Sequence, residues 1–146
     1  MQDVEFMTAK EKVLTLKAWT QFVKAAATGA ELQMQKAFTK RLYLHLINHC
    51  EFIAHYNRGG FFSTYFEEPS QVAHFFAQFD KLKGCLSIEY GMTHWLTMPD
   101  YTDINHALVD AAGPYLEAIY AKANTEQKEL DIARARTLLA KHGLGA

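Results

Sequence analysis

Apolar side chains recur every three or four residues between Phe38 and Tyr56, and this spacing constrains the fold more than any other feature of the chain. Each residue of an α-helix advances about 100° around the axis, so residues spaced in this way share one face. The shared face would contain Phe38, Leu42, His45, Leu46, His49, Phe52, Ile53 and Tyr56. We therefore predict a long central helix over about 29–57, with the rest of the chain packed around it.

Helical spacing continues through the rest of the chain, and glycine or proline marks the expected breaks. A chain of 146 residues can bury a sizeable core without disulfides or metals. The sequence therefore predicts a single all-α domain over residues 1–146, a bundle of five or six helices. Besides the central helix, we expect a helix over about 4–26, one that begins at Glu68-Pro69-Ser70 and one over about 85–97. A further helix, capped by Thr102 or Asp103, should be split at Gly113-Pro114, and the last should run from Asn124-Thr125 to Gly143.

Local patterns also predict caps and buried faces. Thr28-Gly29-Ala30-Glu31 fits a capping box at the start of the central helix. The first helix should bury a face that includes Val13, with Trp19 at its edge. The last helix should bury Ile132, Ala135, Leu138 and Leu139.

Charge and cysteine content exclude several classes of protein. Lys and Arg (15) nearly balance Asp and Glu (16), so the chain has no overall field that would attract nucleic acid. The chain has 2 cysteines without CxxC spacing, which indicates neither a disulfide framework nor a zinc knuckle. No apolar run approaches the roughly 20 residues of a membrane span. We expect a soluble, cytoplasmic protein that binds neither nucleic acid nor membranes.

Residues 58–67 have an unusual aromatic composition. Gly59 and Gly60 should end the central helix, and the following residues have strand-like composition but no partner strand. We interpret 58–67 as an extended arm. Aromatic residues beside an arginine are enriched in protein interfaces. The predicted function is therefore self-association or binding of a protein partner, rather than catalysis, through Arg58, Phe61, Phe62, Tyr65 and Phe66. Alternatively, these rings fold back on the bundle as a lid.

A second hypothesis concerns the histidines of the central helix. His45 and His49 are spaced i and i+4, which lets two imidazoles bind one metal ion if a third ligand approaches from another helix. Glu89 is the expected third ligand, and two histidines with one carboxylate suit iron, manganese or zinc. The competing interpretation is that both histidines are hydrogen-bonded core residues. Apart from this metal or small-ligand site, which could be enzymatic, the sequence predicts no cofactor.

Overall fold

The computed structural model describes residues 8–49, 57–82 and 102–144. The predicted all-α class is confirmed, and the described residues contain no β-strand. Residues 1–7, 50–56, 83–101, 145 and 146 lie outside the described part, which therefore leaves out the predicted helix 85–97. The α-helices are α1 (Ala9–Thr28), α2 (Glu31–Ala37), α3 (Lys40–His49), α4 (Arg58–Phe66), α5 (Pro69–Leu82), α6 (Thr102–Ala112) and α7 (Leu116–Lys141).

Helix α1 lies at the middle of the bundle and packs against α2, α3, α6 and α7. Trp19 and Phe22 are fully buried, whereas Val13 is 66% exposed, so the predicted buried face of α1 was partly wrong. The indole Nε1 of Trp19 donates to the carbonyl oxygen of Leu108 at 2.8 Å. Because this hydrogen bond satisfies the one polar atom of the ring, Trp19 can lie in the core rather than at its edge.

The predicted continuous helix over 29–57 is wrong, because the chain breaks between α2 and α3. Phe38 leaves the helical region with φ −80° and ψ 79°, and its ring is buried. The hydroxyl of Thr39 then accepts a hydrogen bond from the backbone N–H of Leu42 at 3.2 Å. Threonine is a favoured cap at this position, since its oxygen satisfies one of the first free N–H groups of the helix.

The capping box predicted at Thr28 is also wrong. Thr28 is the last residue of α1, and its hydroxyl donates to the carbonyl oxygen of Lys24 at 2.9 Å. The N-cap of α2 is Ala30, whose N–H donates to Oε1 of Gln33 at 2.7 Å. A glutamine three residues after the cap therefore satisfies the cap N–H, as one half of a capping box does.

The predicted extended arm is an α-helix, α4, so the conformation assigned to 58–67 was wrong. The side chain of Asn57 accepts a hydrogen bond from the N–H of Gly60 at 2.8 Å and so starts a new helix where the central helix was expected to end. Aromatic residues at 61, 62, 65 and 66 follow the i, i+1, i+4, i+5 pattern of one helical face. In a helix this face can turn entirely toward the core.

The aromatic rings of four helices meet in the core. The ring centroids of Phe66 and Phe75 lie 4.7 Å apart, and those of Phe22 and Phe66 lie 5.0 Å apart. Edge-on contacts at such distances stabilise a core beyond the area that they bury. The predicted burial of Val72, Phe75 and Phe76 on α5 is confirmed.

At the end of the chain, two of the predictions from the sequence are confirmed and two are wrong. A 3₁₀ turn at Gly113–Tyr115 separates α6 from α7, as Gly113-Pro114 predicts, and Gly143 has φ 68° just beyond the last helix. The restart predicted at Asn124-Thr125 is wrong, because α7 is continuous from Leu116 to Lys141. The predicted burial of the last helix is also wrong, since Ile132, Leu138 and Leu139 are exposed.

Candidate ligand-binding site

Three polar side chains are buried among the described residues: Thr15 on α1, His45 on α3 and Asn105 on α6. Nε2 of His45 lies 2.8 Å from Oδ1 of Asn105. An amide oxygen accepts hydrogen bonds only, so this contact requires the tautomer in which Nε2 carries the hydrogen. The bond offsets the cost of burying two polar groups in a core of aromatic and aliphatic side chains.

A cavity of about 350 Å³ opens beside His45, between α1 and α3. Thr15 and His45 are buried where they line it, whereas Lys40 and Arg41 are exposed. We refer to it as the α1–α3 pocket. Its volume is near the lower end of the range for small-molecule sites. The lining residues are Glu11, Thr15, Lys40, Arg41, Leu44, His45 and Asn48.

The two helices that form this pocket are rich in positive charge. Helix α1 contains four lysines and one glutamate, and α3 contains Lys40 and Arg41 but no acidic residue. The glutamate is Glu11, and its Oε1 accepts a hydrogen bond from the backbone N–H of Thr8 at 2.9 Å, within the capping box of α1. The whole chain is close to neutral, so the positive charge of α1 and α3 is a local feature. A concave site with an excess of one charge attracts small ions of the opposite charge.

The structure describes one of the three predicted metal ligands. His45 is 3% exposed, while the side chain of His49 and all of Glu89 lie outside the described residues. Within the described ranges no group of three His, Cys, Asp or Glu side chains is arranged to hold a metal ion. Coordination through Nε2 of His45 would also break the contact with Asn105. The metal site at His45, His49 and Glu89 stays a prediction.

The aromatic residues predicted to bind a partner are part of the core or packed against it. Phe61, Phe62 and Phe66 are buried, and Tyr65 is half-buried beside Phe61. Burial raises the pKa of the Tyr65 hydroxyl. Arg58 is exposed, and its Nη1 donates to the carbonyl oxygen of Phe38 at 3.4 Å. The packing corresponds to the lid alternative; partner binding by this segment stays a prediction.

Sequence reasoning missed Thr15 and Asn105. Thr15 lies four residues before Trp19, and Asn105 lies three and four residues before Leu108 and Val109, so both share the phase of a buried helical face. A polar residue in the phase of a buried face requires a partner or a cavity. The sequence therefore contained the signal that Thr15 and Asn105 are buried, but it did not identify the group that each side chain contacts.

Comparison of the chain with protein-family models, with curated protein sequences and with solved structures gave no match. None of the described helices combines the length and the apolar character needed to cross a lipid bilayer.

Proposed function

We propose that this protein binds a small organic anion in the α1–α3 pocket. The observation that supports the proposal is the composition of the lining, in which two buried polar side chains, Thr15 and His45, occur together with two exposed cations, Lys40 and Arg41. Small-molecule sites combine a concave surface with a few convergent polar groups.

The lining predicts how such a ligand is held. A carboxylate or phosphate group accepts charge-assisted hydrogen bonds from Arg41 and Lys40 at the mouth of the pocket. The planar guanidinium of Arg41 matches the two oxygens of a carboxylate, which makes Arg41 the more selective of the two cations. Thr15 offers a hydroxyl to the polar body of the ligand, and Leu44 offers an apolar contact. The volume of about 350 Å³ favours a compact molecule.

The proposal assigns binding, and no catalytic step, to these groups. Nε2 of His45 carries its hydrogen toward Asn105, and Oε1 of Glu11 is engaged at the start of α1. Lys40, Arg41 and Thr15 orient a ligand, and the two cations neutralise its charge.

Calorimetric titration tests this function. Suitable probes are succinate, benzoate and phenyl phosphate, with benzamide as the neutral counterpart of benzoate. We expect at least one anion to bind with one-to-one stoichiometry, benzamide to bind at least ~10-fold more weakly than benzoate if benzoate binds, and added salt to weaken binding.

The variant Arg41→Gln should weaken anion binding roughly 10-fold, because it removes the charge-assisted pair. The matched control is Lys24→Gln, which removes an exposed cation near the other end of α1 and should leave the affinity unchanged. Equal losses in the two variants would indicate a general charge effect and contradict a site in the pocket.

A further inference from the structure

The C-terminal half of α7 lies at the surface on all sides. Every residue from Asp131 to Leu144 is exposed, including Ile132 (42%), Leu138 (58%) and Leu139 (44%). The N-terminal half of the same helix is anchored by the buried residues Leu116, Ile119 and Ala123. Exposed aliphatic side chains grouped on one helix are typical of a surface that meets another protein.

Ile132 and Leu139 are on the side of α7 that faces away from the bundle, whereas Leu138 is within about 40° of Arg134. Nη1 of Arg134 contacts Oε1 of Glu68 at 2.8 Å, which fixes the side that faces α5. Ile132 is two residues earlier and is therefore rotated by about 200° from Arg134. Ala135 and Leu139 follow Ile132 at intervals of three and four residues, which is the spacing of a seam between paired helices.

Charge is distributed unevenly along this half of α7. Residues 126–131 contain three carboxylates and one lysine, whereas residues 134–141 contain three cations and no carboxylate. A second copy of the helix placed antiparallel would set the acidic stretch of one copy beside the basic stretch of the other. A parallel copy would set the acidic stretches of the two copies at one level and the basic stretches at another, with Arg136 beside Asp131 as the one contact between opposite charges.

From the apolar seam and this charge pattern we infer that the exposed half of α7 pairs antiparallel with the same segment of a second copy of the chain. Ile132 of each copy then packs against Ala135 of the other. This alignment places Glu129 across from Arg136 of the second copy, and the two-fold symmetry repeats the pair. Both residues are exposed in the single chain, so pairing does not require refolding.

Sedimentation velocity from micromolar to near-millimolar protein concentration, with charge-reversal variants, tests the pairing. The wild type should convert from monomer to dimer as the concentration rises. Glu129→Arg and Arg136→Glu should each lower the association constant roughly 10-fold, because each variant places like charges together twice in a dimer. The double variant Glu129→Arg/Arg136→Glu should recover most of the loss, since the pair is restored with its signs exchanged.

Recovery in the double variant also separates the two orientations. In a parallel pair Arg136 would lie near Asp131 of the second copy. The double variant would then keep a lowered association constant, and that result would overturn the antiparallel arrangement. Ile132→Glu should abolish the dimer. Thr137→Glu is the matched control, because Thr137 is exposed but rotated by about 140° from Ile132; its association should equal that of the wild type.

Two further results would overturn the inference. One is a wild type that stays monomeric throughout the concentration range. The other is a melting temperature of Ile132→Glu that is lower than that of the wild type by the same amount at every protein concentration. That result would mean that another part of the same chain covers this face.

Discussion

Nε2 of His45 lies 2.8 Å from Oδ1 of Asn105, and this contact joins α3 to α6 across 60 positions of the chain. Both residues are at least 97% buried. The contact holds the imidazole at the inner wall of the α1–α3 pocket, where a ligand would meet it. The stability of this part of the fold and the shape of the pocket should therefore depend on the same pair of side chains.

Replacing both members of the pair should cost less than the sum of the two single replacements. Asn105→Leu takes away the acceptor for Nε2 and should lower the free energy of unfolding by about 2 kcal/mol. In the double variant His45→Leu/Asn105→Leu, both polar groups are gone and the loss should be smaller than the sum of the two single losses. Urea unfolding of the four proteins measures the coupling. Strictly additive losses would mean that the two side chains do not interact in solution.

The packing of α4 predicts a stability effect at Phe62. Phe62 is 8% exposed, and its ring lies 5.3 Å from that of Phe66 and 5.9 Å from that of Phe38. Phe62→Ala should cost about 3 kcal/mol of fold stability through lost burial and the cavity left behind. Ser63→Ala, an exposed change on the same helix, should stay within about 0.5 kcal/mol of the wild type.

Thermal unfolding at several protein concentrations distinguishes this prediction from an interface role. If Phe62→Ala changed the dimer population while leaving the stability of the monomer intact, the aromatic segment 58–66 would be an interface after all.

The contact between Glu68 and Arg134 predicts an acid dependence. Hydrogen bonds from Arg134 and then Gln127 hold the pKa of Glu68 below its ordinary value of 4.5. The carboxylate of Glu68 is therefore protonated at a higher pH in the unfolded chain than in the folded one. Its contribution to the free energy of unfolding is complete above about pH 4.5 and is lost as the pH falls through the lower pKa of the folded state.

Wild type should therefore lose more stability than Glu68→Gln between neutral pH and this acid range. Unfolding curves at each pH measure the difference, and Glu117→Gln, an exposed carboxylate elsewhere on α7, serves as the control. The effect should be small, since both partners of the pair are partly exposed. Parallel pH profiles for wild type and Glu68→Gln would contradict the assignment.

The turn between α1 and α2 should not tolerate a side chain at Gly29. An added Cβ would lie 2.8 Å from the carbonyl oxygen of Ala25 and 2.6 Å from Oε1 of Gln33. Gly29→Ala should therefore cost about 1–3 kcal/mol, because part of the contact is with the backbone.

Gly59→Ala is the matched substitution. It lies in α4 with its nearest neighbour, Oδ1 of Asn57, 3.4 Å away, and it should stabilise the protein by about 0.5 kcal/mol through helix propensity. Chemical denaturation of both variants checks the contrast. A Gly29→Ala variant as stable as the wild type would show that this turn relaxes more easily than its contacts suggest.

Periodicity predicted the helical class and the face of α5, and Gly113-Pro114 predicted the break between α6 and α7, because each depends on nearby residues. It failed at Phe38, where the ring is drawn into a core built by α1 and α4, so tertiary packing outweighs local helix propensity. The burial predicted for Ile132 and Leu139 also failed, because an apolar stripe indicates that a helix face packs against another element but does not identify that element.

Part of the candidate site could be predicted from the sequence. The burial of His45 follows from its place in the apolar stripe and is confirmed. Its contact with Asn105 and the position of Arg41 beside Thr15 depend on how α3 packs against α1 and α6. A pattern read along one helix contains no information about which helix lies opposite.

Mapping of anion binding by two-dimensional ¹H–¹⁵N NMR tests the central claim most directly. Addition of succinate, benzoate or phenyl phosphate should shift the amide signals of Thr15, Leu44 and His45, and all three shifts should saturate along the same curve of anion concentration. In Arg41→Gln the same curve should move to higher anion concentration. Shifts confined to other surfaces, or an Arg41→Gln variant that responds as the wild type does, would contradict a ligand site in the α1–α3 pocket.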